Sequence, residues 1–599
     1  MKILLTAVNA KYIHSNPAIY SLKAYAEKKE PALTGQIALA EYTINHSVSD
    51  ILSDLYSRKP DVIGFSCYIW NIRHILELAE EIKKLLPKVQ IWLGGPEVSF
   101  DGSSLLTTYP FLTGIIRGEG EETFLELARI YAQSEQKGLS FDEISFDRVK
   151  SVVIRQNEAV TEGEEREPAI LSELPFLYDE TTPFENRIIY YESGRGCPFR
   201  CSYCLSSIDK TVRLRDLEIV KKELAFFLEK KVRQVKFVDR TFNCNKEHAL
   251  SIWKYLLDHD NGVTNFHFEI AADLLGEEEL AVLERFRPGA VQLEIGVQST
   301  NEKTLREIDR RMDIQKLVRV VKRIRDGKNI HMHLDLIAGL PYEDYASFAA
   351  SFNDVFAMEP EQLQLGFLKV LKGSKMHKKA EEYGLVYRSK PAYEVMFTDW
   401  LSYEDVCRLK RIEEMVELYY NSNQFTTTLP LAIRLFETPF AFFEALADFY
   451  ERKGYFVQSP ARSYRYQVLL SFLQEKLAGM TGSEGADDGL YRESLTMDLY
   501  LRENCKTRPD FAPDMTESRD VIRGFFREEA ENHGVLGEKY ADCDARTLAR
   551  TVHVEPVTYD FVTGLQRKEQ EYVLFDYKDR NALTGEANIY MIGKLVKNE

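Results

Sequence analysis

The sequence predicts an α/β protein in which two successive strand–helix series are followed by a mainly helical region. Short runs rich in β-branched residues alternate with amphipathic stretches from Lys2 to about residue 134 and again from Ile188 to about residue 385. This alternation is typical of βαβ units around parallel strands. Beyond residue 385 the alternation fades. At 599 residues the chain also exceeds the size of a single hydrophobic core, so several domains are expected.

The first series predicts a doubly wound, Rossmann-like parallel sheet of five strands with helices between them. The predicted strands are Lys2–Val8, Gln36–Tyr42, Asp61–Ser66, Gln90–Leu93 and Gly114–Arg117. The predicted helices are Pro17–Lys29, Val48–Arg58, Asn71–Leu86 and Gly120–Ala132. We assign residues 1–134 to this domain. Residues 135–185 are polar and rich in Glu and Ser, with one predicted strand at Ser151–Arg155, and we assign them to a connector.

The second series predicts a partial, TIM-like (β/α)6 barrel over residues 186–385. Its strands begin at Ile188 and continue at Val235–Val238, Asn265–Ala271, Val291–Val297, His331–Ile337 and Gln362–Leu368. In such barrels the chemistry gathers at the C-terminal ends of the strands. Residues 386–599 form a C-terminal domain that we expect to cover the substrate. It is predicted to be helical to residue 480, broken over 481–512, and to contain strands near Thr551–Val554 and Tyr572–Tyr577.

Composition and charge exclude several classes of protein. Apolar residues make up 44% and charged residues 29% of the chain, which is typical of globular proteins. The net charge of −17 repels phosphate backbones, so we expect no nucleic-acid partner. The longest apolar runs have strand length, so we expect no membrane partner. Because the N-terminus runs into a predicted strand and lacks a signal-peptide pattern, we expect a cytoplasmic protein.

Three of the eight cysteines, Cys197, Cys201 and Cys204, cluster directly after the first predicted barrel strand. Thiolates are soft ligands, and three of them on an iron–sulfur cluster leave one iron open to a substrate. Zinc is the main competitor. Structural zinc normally has four protein ligands, however, and no further cysteine follows until Cys244. The spacing therefore favours an iron–sulfur cluster.

The spacing Cys-x3-Cys-x2-Cys, with Tyr203 before the last cysteine, resembles the radical S-adenosylmethionine (radical SAM) superfamily. The resemblance implies a 4Fe-4S cluster whose open iron takes the amino and carboxylate groups of S-adenosylmethionine. One electron from the cluster then breaks the sulfonium bond and gives a 5′-deoxyadenosyl radical. It also implies an electron donor such as flavodoxin or ferredoxin.

Later segments resemble the superfamily's other contacts with S-adenosylmethionine, in the same order along the chain. By this resemblance Tyr203 lies against the adenine, Asp239 meets the amino group and Arg310 faces the carboxylate. The full set of residues implied is Tyr203, Asp239, Glu269, Glu294, Gln298, Arg310 and Gly339. Taken singly, each could equally be a solvated charge or a turn glycine. Their order along the chain is what carries the interpretation.

Two loops of the first series resemble the cobalamin-binding domain, which has a Ser-x-Leu element and a paired glycine at nearly this separation. Ser66-Cys67-Tyr68 follows the third strand, and Gly94-Gly95-Pro96-Glu97 follows the fourth. Gly118-Glu119 after the fifth strand resembles the turn of proteins that join a cobalamin domain to a radical SAM barrel. The residues implied to contact cobalamin are Ser66, Tyr68, Gly94, Gly95, Glu97, Gly118 and Glu119.

The loop after the first strand departs from the cobalamin pattern. The family's Asp-x-His-x-x-Gly element is replaced by Asn9 to Pro17, which keeps His14 but lacks the aspartate that would orient it. His14 is thus either the lower cobalt ligand or a local loop residue. Two further readings stay open: the lower face of cobalamin is covered by other residues, or the domain no longer holds the cofactor.

Together the two resemblances imply a cobalamin-dependent radical SAM methylase, which methylates an unactivated carbon of a small-molecule or peptide substrate. A radical cyclase or rearrangement enzyme uses the same parts without methyl transfer. A protein that binds or senses cobalamin, with a vestigial radical site, is the non-enzyme alternative. A methylthiolating enzyme is excluded because it needs a second cluster on an N-terminal domain that contains only Cys67. The C-terminal region also resembles the uncharacterised domain found after some of these barrels.

Overall fold

The computed structural model describes residues 1–156, 159–178, 186–209, 211–481 and 487–595. The chain divides into two compact units. Unit 1 contains Met1–Gly327, Gly339–Asp344 and Phe367–Ser402, and unit 2 contains Lys328–Ala338, Tyr345–Gly366 and Tyr403–Glu599. Within the described residues, no helix is both long enough and apolar enough to cross a membrane.

The N-terminal sheet of unit 1 has seven strands. They are β1 (Ile3–Asn9), β2 (Ile37–Thr43), β3 (Val62–Ser66), β4 (Gln90–Gly94), β5 (Gly114–Ile116), β6 (Val152–Gln156) and β7 (Ala159–Glu162). Their spatial order is β2-β1-β3-β4-β5-β6-β7. The first five are parallel, as predicted, whereas β6 and β7 pair antiparallel at the edge.

The two edge strands correct the predicted five-strand sheet, because part of the predicted connector belongs to the sheet. Val153 of β6 joins the hydrophobic core on one face, and Val152 and Ile154 join the core on the other. A segment with both faces buried is more stable as a strand of the sheet than as a free linker. The sequence signal was limited to the short apolar run at Ser151–Arg155.

Five helices cover the two faces of this sheet: α1 (Pro17–Lys29), α2 (Val48–Arg58), α3 (Ile72–Leu85), α4 (Gly102–Thr108) and α5 (Glu121–Lys137). The Asn16 side chain accepts a hydrogen bond from Ile19 N and begins α1, with Pro17 at its first position. Ser47 caps α2 in the same way. Residues of α1 and α5 pack on one face and residues of α2 and α3 on the other. The doubly wound arrangement is therefore confirmed.

A second parallel sheet begins in unit 1 with β8 (Ile189–Tyr191). A two-stranded antiparallel hairpin follows it, made by β9 (Gly194–Arg195) and β10 (Arg213–Leu214). The sheet continues with β11 (Gln234–Phe237), β12 (Asn265–Ile270) and β13 (Val291–Gln298), each parallel to its neighbour in the order β8-β11-β12-β13. Helices α6 (Leu217–Glu229), α7 (Lys246–Asp258), α8 (Glu277–Leu283), α9 (Glu302–Glu307) and α10 (Ile314–Gly327) alternate with these strands.

The last two predicted barrel strands lie in unit 2 as β14 (Ile330–Ala338) and β15 (Gln362–Phe367), separated by α11 (Tyr345–Phe356). The segment Phe367–Ser402 belongs to unit 1. It holds α12 (Lys375–Lys378), β16 (Val386–Tyr387) and β17 (Val395–Phe397). Six strands thus follow one another along the chain where the sequence predicted them.

The C-terminal part of unit 2 is largely helical, as predicted. Its helices are α13 (Tyr403–Met415), α14 (Thr428–Ile433), α15 (Pro439–Arg452), α16 (Arg465–Thr481), α17 (Gly489–Arg502), α18 (Arg519–Asn532) and α19 (Ala545–Thr551). A π-helical turn at Val416–Asn421 follows α13. An antiparallel sheet has the order β18-β19-β20 and consists of β18 (Val552–Tyr559), β19 (Gln566–Arg580) and β20 (Ala587–Gly593).

The predicted break at 481–512 is wrong over its described centre, which forms α17. Every residue from Tyr491 to Leu501 except Arg492 is buried, so the helix shows no polar face from which a 3.6-residue period could be recognised. Its buried carboxylates are paired instead. Glu493 accepts from Thr558 N and Tyr559 N, and Asp498 accepts from Thr427 N.

Candidate functional site

The three clustered cysteines lie in the loop between β9 and β10. Cys197 and Cys201 are buried, Cys204 is half-buried, and all three are free thiols. Gly196, directly before the first cysteine, has φ +96°, and a Cβ at this position would overlap the carbonyl oxygen of Thr211. Only glycine permits this close approach of the two arms of the loop.

The surroundings of the thiols fit an iron–sulfur cluster. Burial raises the pKa of Cys197, against hydrogen bonds from the backbone of Phe199 and from Thr241, and the neighbouring Cys204 and Cys201 raise it further. Arg310 Nη1 donates to Cys201 Sγ at 3.6 Å, and Thr241 Oγ1 lies 3.6 Å from Cys197 Sγ. Hydrogen bonds to the sulfurs are among the contacts by which proteins tune an iron–sulfur cluster.

A single bound ion and an iron–sulfur cluster place different demands on the three thiols. No group of three or more His, Cys, Asp or Glu side chains in the described ranges comes together as a ready-made metal site. Zinc–sulfur bonds of about 2.3 Å would draw the sulfurs close around one point. A cluster instead binds each thiolate on a different iron and spreads the ligands apart. The donor set therefore fits a cluster, and the predicted ligands stay a prediction.

Arg310, Gln298 and Tyr203 come together beside the cysteine loop. Arg310 Nη2 donates to the carbonyl oxygen of Gly296 on β13, while its other nitrogen contacts Cys201. Gln298 has φ +74°, and its side-chain amide fills the space where a Cβ of Gly296 would stand. Burial raises the pKa of Tyr203, and a hydrogen bond with Cys201 contributes to the shift. Three residues predicted to contact S-adenosylmethionine thus lie next to one another.

Asp239 lies beneath the start of the cysteine loop and is engaged by Ser193. Ser193 N and Ser193 Oγ donate to its two carboxylate oxygens at 3.0 and 2.7 Å. His248 Nε2 lies 3.2 Å from the same hydroxyl. Burial raises the pKa of Asp239 to about 7 and lowers the pKa of His248 to about 4. The predicted contact with an amino group remains a prediction, and the carboxylate also anchors the strand that leads to Gly194.

The two predicted glutamates of the barrel strands have different surroundings. Lys236 Nζ donates to Glu294 Oε2 at 2.9 Å, and His267 Nε2 lies 3.0 Å from the same oxygen. Burial opposes ionisation of Glu294, but His267 and Lys236 outweigh it and lower its pKa to about 2. Burial raises the pKa of Glu269, against the charge of Arg240. Glu294 is therefore a firmly held carboxylate, whereas burial of Glu269 works against its ionisation.

Gly339 packs closely against β17 on one side. It has φ +89°, and a Cβ there would lie 2.8 Å from Val395 Cγ1 on β17. This side of the glycine therefore serves close packing inside unit 1. We predicted that the adenine of a ligand approaches the backbone of this glycine. That approach would be on the side away from Val395, and it stays a prediction.

An apolar cavity of about 130 Å³ lies inside the N-terminal sheet domain, between the strands and the two helices α1 and α5. Five of the residues predicted for cobalamin line it: Ser66, Tyr68, Gly94, Gly95 and Gly118. Gly95 has φ +113°, and a Cβ would lie 2.5 Å from the carbonyl oxygen of Cys67. Asn16 Nδ2 donates to Ser66 Oγ at 3.1 Å. The loops therefore surround a space of the kind that a flat apolar group fills.

His14 is engaged by a tyrosine of the second sheet. Its Nδ1 lies 2.5 Å from Tyr190 Oη, and its backbone N donates to Lys11 O. Burial lowers the pKa of His14, and the charges of Lys11 and Lys236 lower it further. The imidazole is therefore neutral, and one of its nitrogens has a protein partner.

Two other predicted cobalamin residues contact neighbouring segments instead of lining the cavity. Tyr393 Oη donates to the buried Glu97, and Lys372 Nζ lies 3.9 Å from Glu97 Oε1. Burial raises the pKa of Glu97, against the hydrogen bond from Tyr393. Glu119 lies outside the lining set and accepts hydrogen bonds from Arg213 and from Ala169 N.

Several site residues were missed from the sequence. Ser193, Thr241 and His248 surround Asp239 and Cys197, but each is a common polar residue with no motif around it. Among the missed residues, Asn71 had the clearest sequence signal. It was predicted to begin a helix close to the end of a strand, where an asparagine side chain can hydrogen-bond the backbone of neighbouring loops. It is fully buried, and its side-chain nitrogen donates to Val8 O and Ser66 O. Trp70 stacks on Tyr68 with ring centroids 4.3 Å apart.

Three family models match successive parts of the chain. The B12 binding domain matches residues 3–128, the Radical SAM superfamily matches 191–355, and a protein of unknown function (DUF4080) matches 381–575. The cavity lies inside the first match and the cysteine loop inside the second. The predicted resemblance to cobalamin-binding radical SAM proteins with a C-terminal domain of unknown function is thereby confirmed.

Curated relatives are about a quarter identical to this chain over the aligned residues. It is 26% identical over 366 residues to the cobalamin-dependent radical SAM methyltransferase TokK of Streptomyces tokunonensis, which covers 55% of this chain and 50% of that protein. It is 23% identical over 328 residues to the anaerobic magnesium-protoporphyrin IX monomethyl ester cyclase of Rubrivivax gelatinosus, covering 53% and 57%. The chain thus spans about half the length of the curated relatives it matches.

Among solved structures, the cobalamin-dependent S-adenosylmethionine radical enzyme OxsB, with aqua-cobalamin and S-adenosylmethionine bound, is similar with a TM-score of 0.55. The match has 16% sequence identity and covers 83% of this chain and 78% of that chain. At this identity the likeness shows the fold. The predicted α/β class, with an N-terminal parallel sheet, a radical SAM region and a helical C-terminal region, is confirmed.

Proposed function

We propose that this chain, which joins a B12-binding domain to a radical SAM domain and a domain of unknown function, is a cobalamin-dependent radical SAM enzyme that methylates an unactivated carbon. The observation that carries the proposal is that one compact unit contains both three clustered thiols, with Arg310 on Cys201, and an apolar cavity at the loops after the strands. When bound, the cluster supplies the electron that cleaves S-adenosylmethionine to a 5′-deoxyadenosyl radical, and cobalamin supplies the methyl group.

The residues of the cysteine loop have distinct tasks in this proposal. Cys197, Cys201 and Cys204 hold the cluster. Arg310 places its guanidinium between Cys201 and β13, where a carboxylate of S-adenosylmethionine would meet a fixed positive charge. Gln298 and Tyr203 flank the same place and orient the rest of the molecule. Asp239, held by Ser193, fixes the strand that carries the loop.

For the cobalamin site we propose that the cavity takes the apolar end of the nucleotide tail. Ser66, Gly94 and Gly95 supply the wall where a flat group approaches bare backbone. We also propose that His14 stays with Tyr190 and leaves cobalt without a histidine ligand. The hydrogen bond to Tyr190 and the absence of an orienting aspartate support this assignment.

Substrate, electron donor and location belong to the same proposal. A small molecule or peptide is the substrate, and a flavodoxin or ferredoxin supplies the electron. Eight free cysteines and a redox cluster require a reducing compartment, which supports a cytoplasmic location. A cyclase or rearrangement enzyme is the second candidate, because the chain also resembles the R. gelatinosus cyclase. A cobalamin-binding protein with a vestigial radical site is the third.

Anaerobic reconstitution tests the proposal. The protein is loaded with iron, sulfide and cobalamin and incubated with dithionite and methyl-labelled S-adenosylmethionine. We expect 5′-deoxyadenosine, and labelled methyl on the substrate once candidates are supplied. Cys201→Ala should lose the iron and the deoxyadenosine, whereas Cys407→Ala in unit 2 should keep both.

Each other outcome selects an alternative. Deoxyadenosine without transferred label, across substrates that are consumed, supports the cyclase. Cobalamin uptake without any deoxyadenosine supports the non-enzyme reading. Zinc in place of iron in the reconstituted protein removes the proposal.

A further inference from the structure

We infer that Glu119, Glu121, Arg195 and Arg213 form a positioning bridge, the Glu119 bridge, that fixes the cysteine loop against the wall of the cobalamin cavity. The inference rests on the proposed function, because it concerns how two cofactors are held in register. None of the four residues is needed as a ligand. Their contribution is the placement of one cofactor site relative to the other.

The basic half of the bridge lies at the base of the cysteine loop. Arg195 and Arg213 are register partners across β9 and β10, and the chain between them contains all three cysteines. Gly196 follows Arg195 directly and closes the loop against Thr211. A movement of the two arginines therefore moves the whole loop.

The acidic half belongs to the turn that lines the cavity. Gly118, Gly120 and Glu121 line the cavity, whereas Glu119 between them turns outward. Arg213 Nη1 and Arg195 Nη1 lie 3.2 and 3.3 Å from Glu119 Oε2. The turn thus contacts the cavity on one side and the hairpin on the other.

A second contact links the hairpin to α1, the helix that forms another wall of the cavity. Arg195 Nη2 donates to Glu121 Oε1 at 3.1 Å, and Ser21 Oγ of α1 donates to the same oxygen at 3.2 Å. Ala18, Ile19 and Leu22 of α1 line the cavity. Two walls of the cavity therefore reach the cysteine loop through Arg195.

The ion pairs indicate that the Glu119 bridge does more than stabilise the hairpin itself. Each arginine already has a carboxylate partner near its own strand: Glu192 for Arg195 at 2.8 Å and Asp209 for Arg213 at 3.1 Å. The hairpin would keep its ion pairs without the turn. Burial opposes ionisation of Glu119, yet Arg213 and Arg195 lower its pKa, so the contact is ionic at neutral pH. The side chains of Arg195, Glu119 and Arg213 are only 22, 26 and 19% exposed, which limits screening by salt.

The physical consequence is coupling between the two sites. A ligand that orders the turn stabilises the position of the hairpin, and by linkage an ordered cysteine loop must strengthen cobalamin binding equally. Radical transfer demands accurate placement, since a displacement of about 1 Å can cost about a hundredfold in rate. Weakening the bridge should therefore leave formation of the 5′-deoxyadenosyl radical unchanged. It should impair the later steps in which that radical is used.

The test measures how cobalamin protects the cluster in the full chain. Cluster-loaded protein is treated with an iron chelator, with and without bound cobalamin, and the rate of iron loss is followed by absorbance. In the wild type we expect cobalamin to slow the loss at least about fivefold. In Glu119→Gln, which keeps the shape and removes the charge, this protection should largely disappear while initial iron content stays unchanged.

Asp209→Asn is the matched control, because it removes a carboxylate partner of Arg213 that does not touch the cavity turn. It should keep the protection. A second measurement is the dipolar interaction between paramagnetic cobalt(II) and the reduced cluster, which should give a broader distance distribution in Glu119→Gln than in Asp209→Asn.

The outcomes separate the two proposals. Equal protection in the wild type and Glu119→Gln, or no protection in a wild type that binds cobalamin, overturns the bridge alone. A wild type that takes up no cobalamin overturns the cobalamin part of the proposed function and the bridge with it. Loss of iron from Glu119→Gln before the chelator is added shows a folding role and also overturns the bridge.

Discussion

At the scale of single residues, Gly196 decides whether the cysteine loop can close. Its φ of +96° is accessible to other residues only at a cost, and its missing Cβ leaves room for the carbonyl of Thr211. These two effects are separable, because Gly262 has φ +73° with no atom within 4 Å of its would-be Cβ. The chain therefore offers a control for backbone strain alone.

Gly196→Ala should abolish most of the cluster content, because the added methyl group forces the two arms of the loop apart. Gly262→Ala should cost only about 1 kcal/mol of unfolding free energy and leave iron content unchanged. Iron and sulfide per chain after reconstitution decide the matter. A Gly196→Ala protein with full iron content would show that the loop closes by another route.

Arg310 is the residue whose two contacts join the thiols to β13. Arg310→Lys keeps the charge but cannot contact Cys201 Sγ and Gly296 O with one planar group. We expect the rate of deoxyadenosine formation to fall at least about tenfold, with a raised KM for S-adenosylmethionine.

Arg306→Lys is the comparison for this change, since Arg306 pairs with Glu302 on the surface. It should leave both constants unchanged. An unchanged KM in Arg310→Lys would remove the assigned contact with S-adenosylmethionine.

At the scale of elements, the sequence predicted those parts whose pattern is local. Strands β1 to β5 and helices α1 to α3 appear within a few residues of their predicted bounds, because β-branched runs, Asn16, Pro17 and Ser47 mark them. Strand β7 and helix α17 were missed for different reasons: β7 is a short, mostly exposed hairpin strand with no apolar alternation, whereas α17 depends on partners distant in sequence. Val160 of β7 pairs with Arg155, and α17 buries its polar residues against distant backbone.

The pH dependence of unit 2 provides a test at this scale. Asp498 of α17 accepts from Thr427 N and Thr428 N at the start of α14, and burial raises its pKa to about 6. A carboxyl whose pKa is raised on folding stabilises the fold below its unfolded pKa of about 3.8 and loses that contribution as pH rises through about 6. The melting temperature of unit 2 should therefore fall between pH 4 and pH 7 through this group.

Asp498→Asn should reduce the fall in melting temperature between pH 4 and pH 7 by about a few degrees. Asp520→Asn, at an exposed position of α18 in the same unit, should not. The difference in thermal melting between the variants and the wild type isolates the Asp498 contribution. A wild type and an Asp498→Asn protein with parallel curves would contradict the assignment.

At the scale of the whole molecule, the sequence indicated both cofactor sites but not how they are joined. The cysteines and the paired glycines carry motifs, so their places were predicted, and the residues between them were not. Arg195, Arg213 and Tyr393 meet partners distant in sequence, and no local pattern announces such contacts. Glu119 was predicted to contact cobalamin, and in the structure it pairs with Arg213 and Arg195 of the hairpin.

The two sites should be separable by filling the cavity. Ala128→Phe on α5 projects a ring into the cavity at a cost of about 1–3 kcal/mol. We expect cobalamin affinity to fall at least about tenfold, with deoxyadenosine formation retained. Ala132→Phe, on the same helix but outside the cavity lining, should bind cobalamin like the wild type. Visible absorption titrations measure both.

The antiparallel hairpin at the base of the cysteine loop also limits how chains of this kind can be recombined. A chimera that takes its first 134 residues from a relative brings a foreign turn but keeps Arg195 and Arg213. Arg195 and Arg213 would keep their pairs with Glu192 and Asp209, yet lose the contacts with the turn unless the donor carries carboxylates at the places of Glu119 and Glu121. Compatibility between parents is thus decided by four side chains that must be exchanged together.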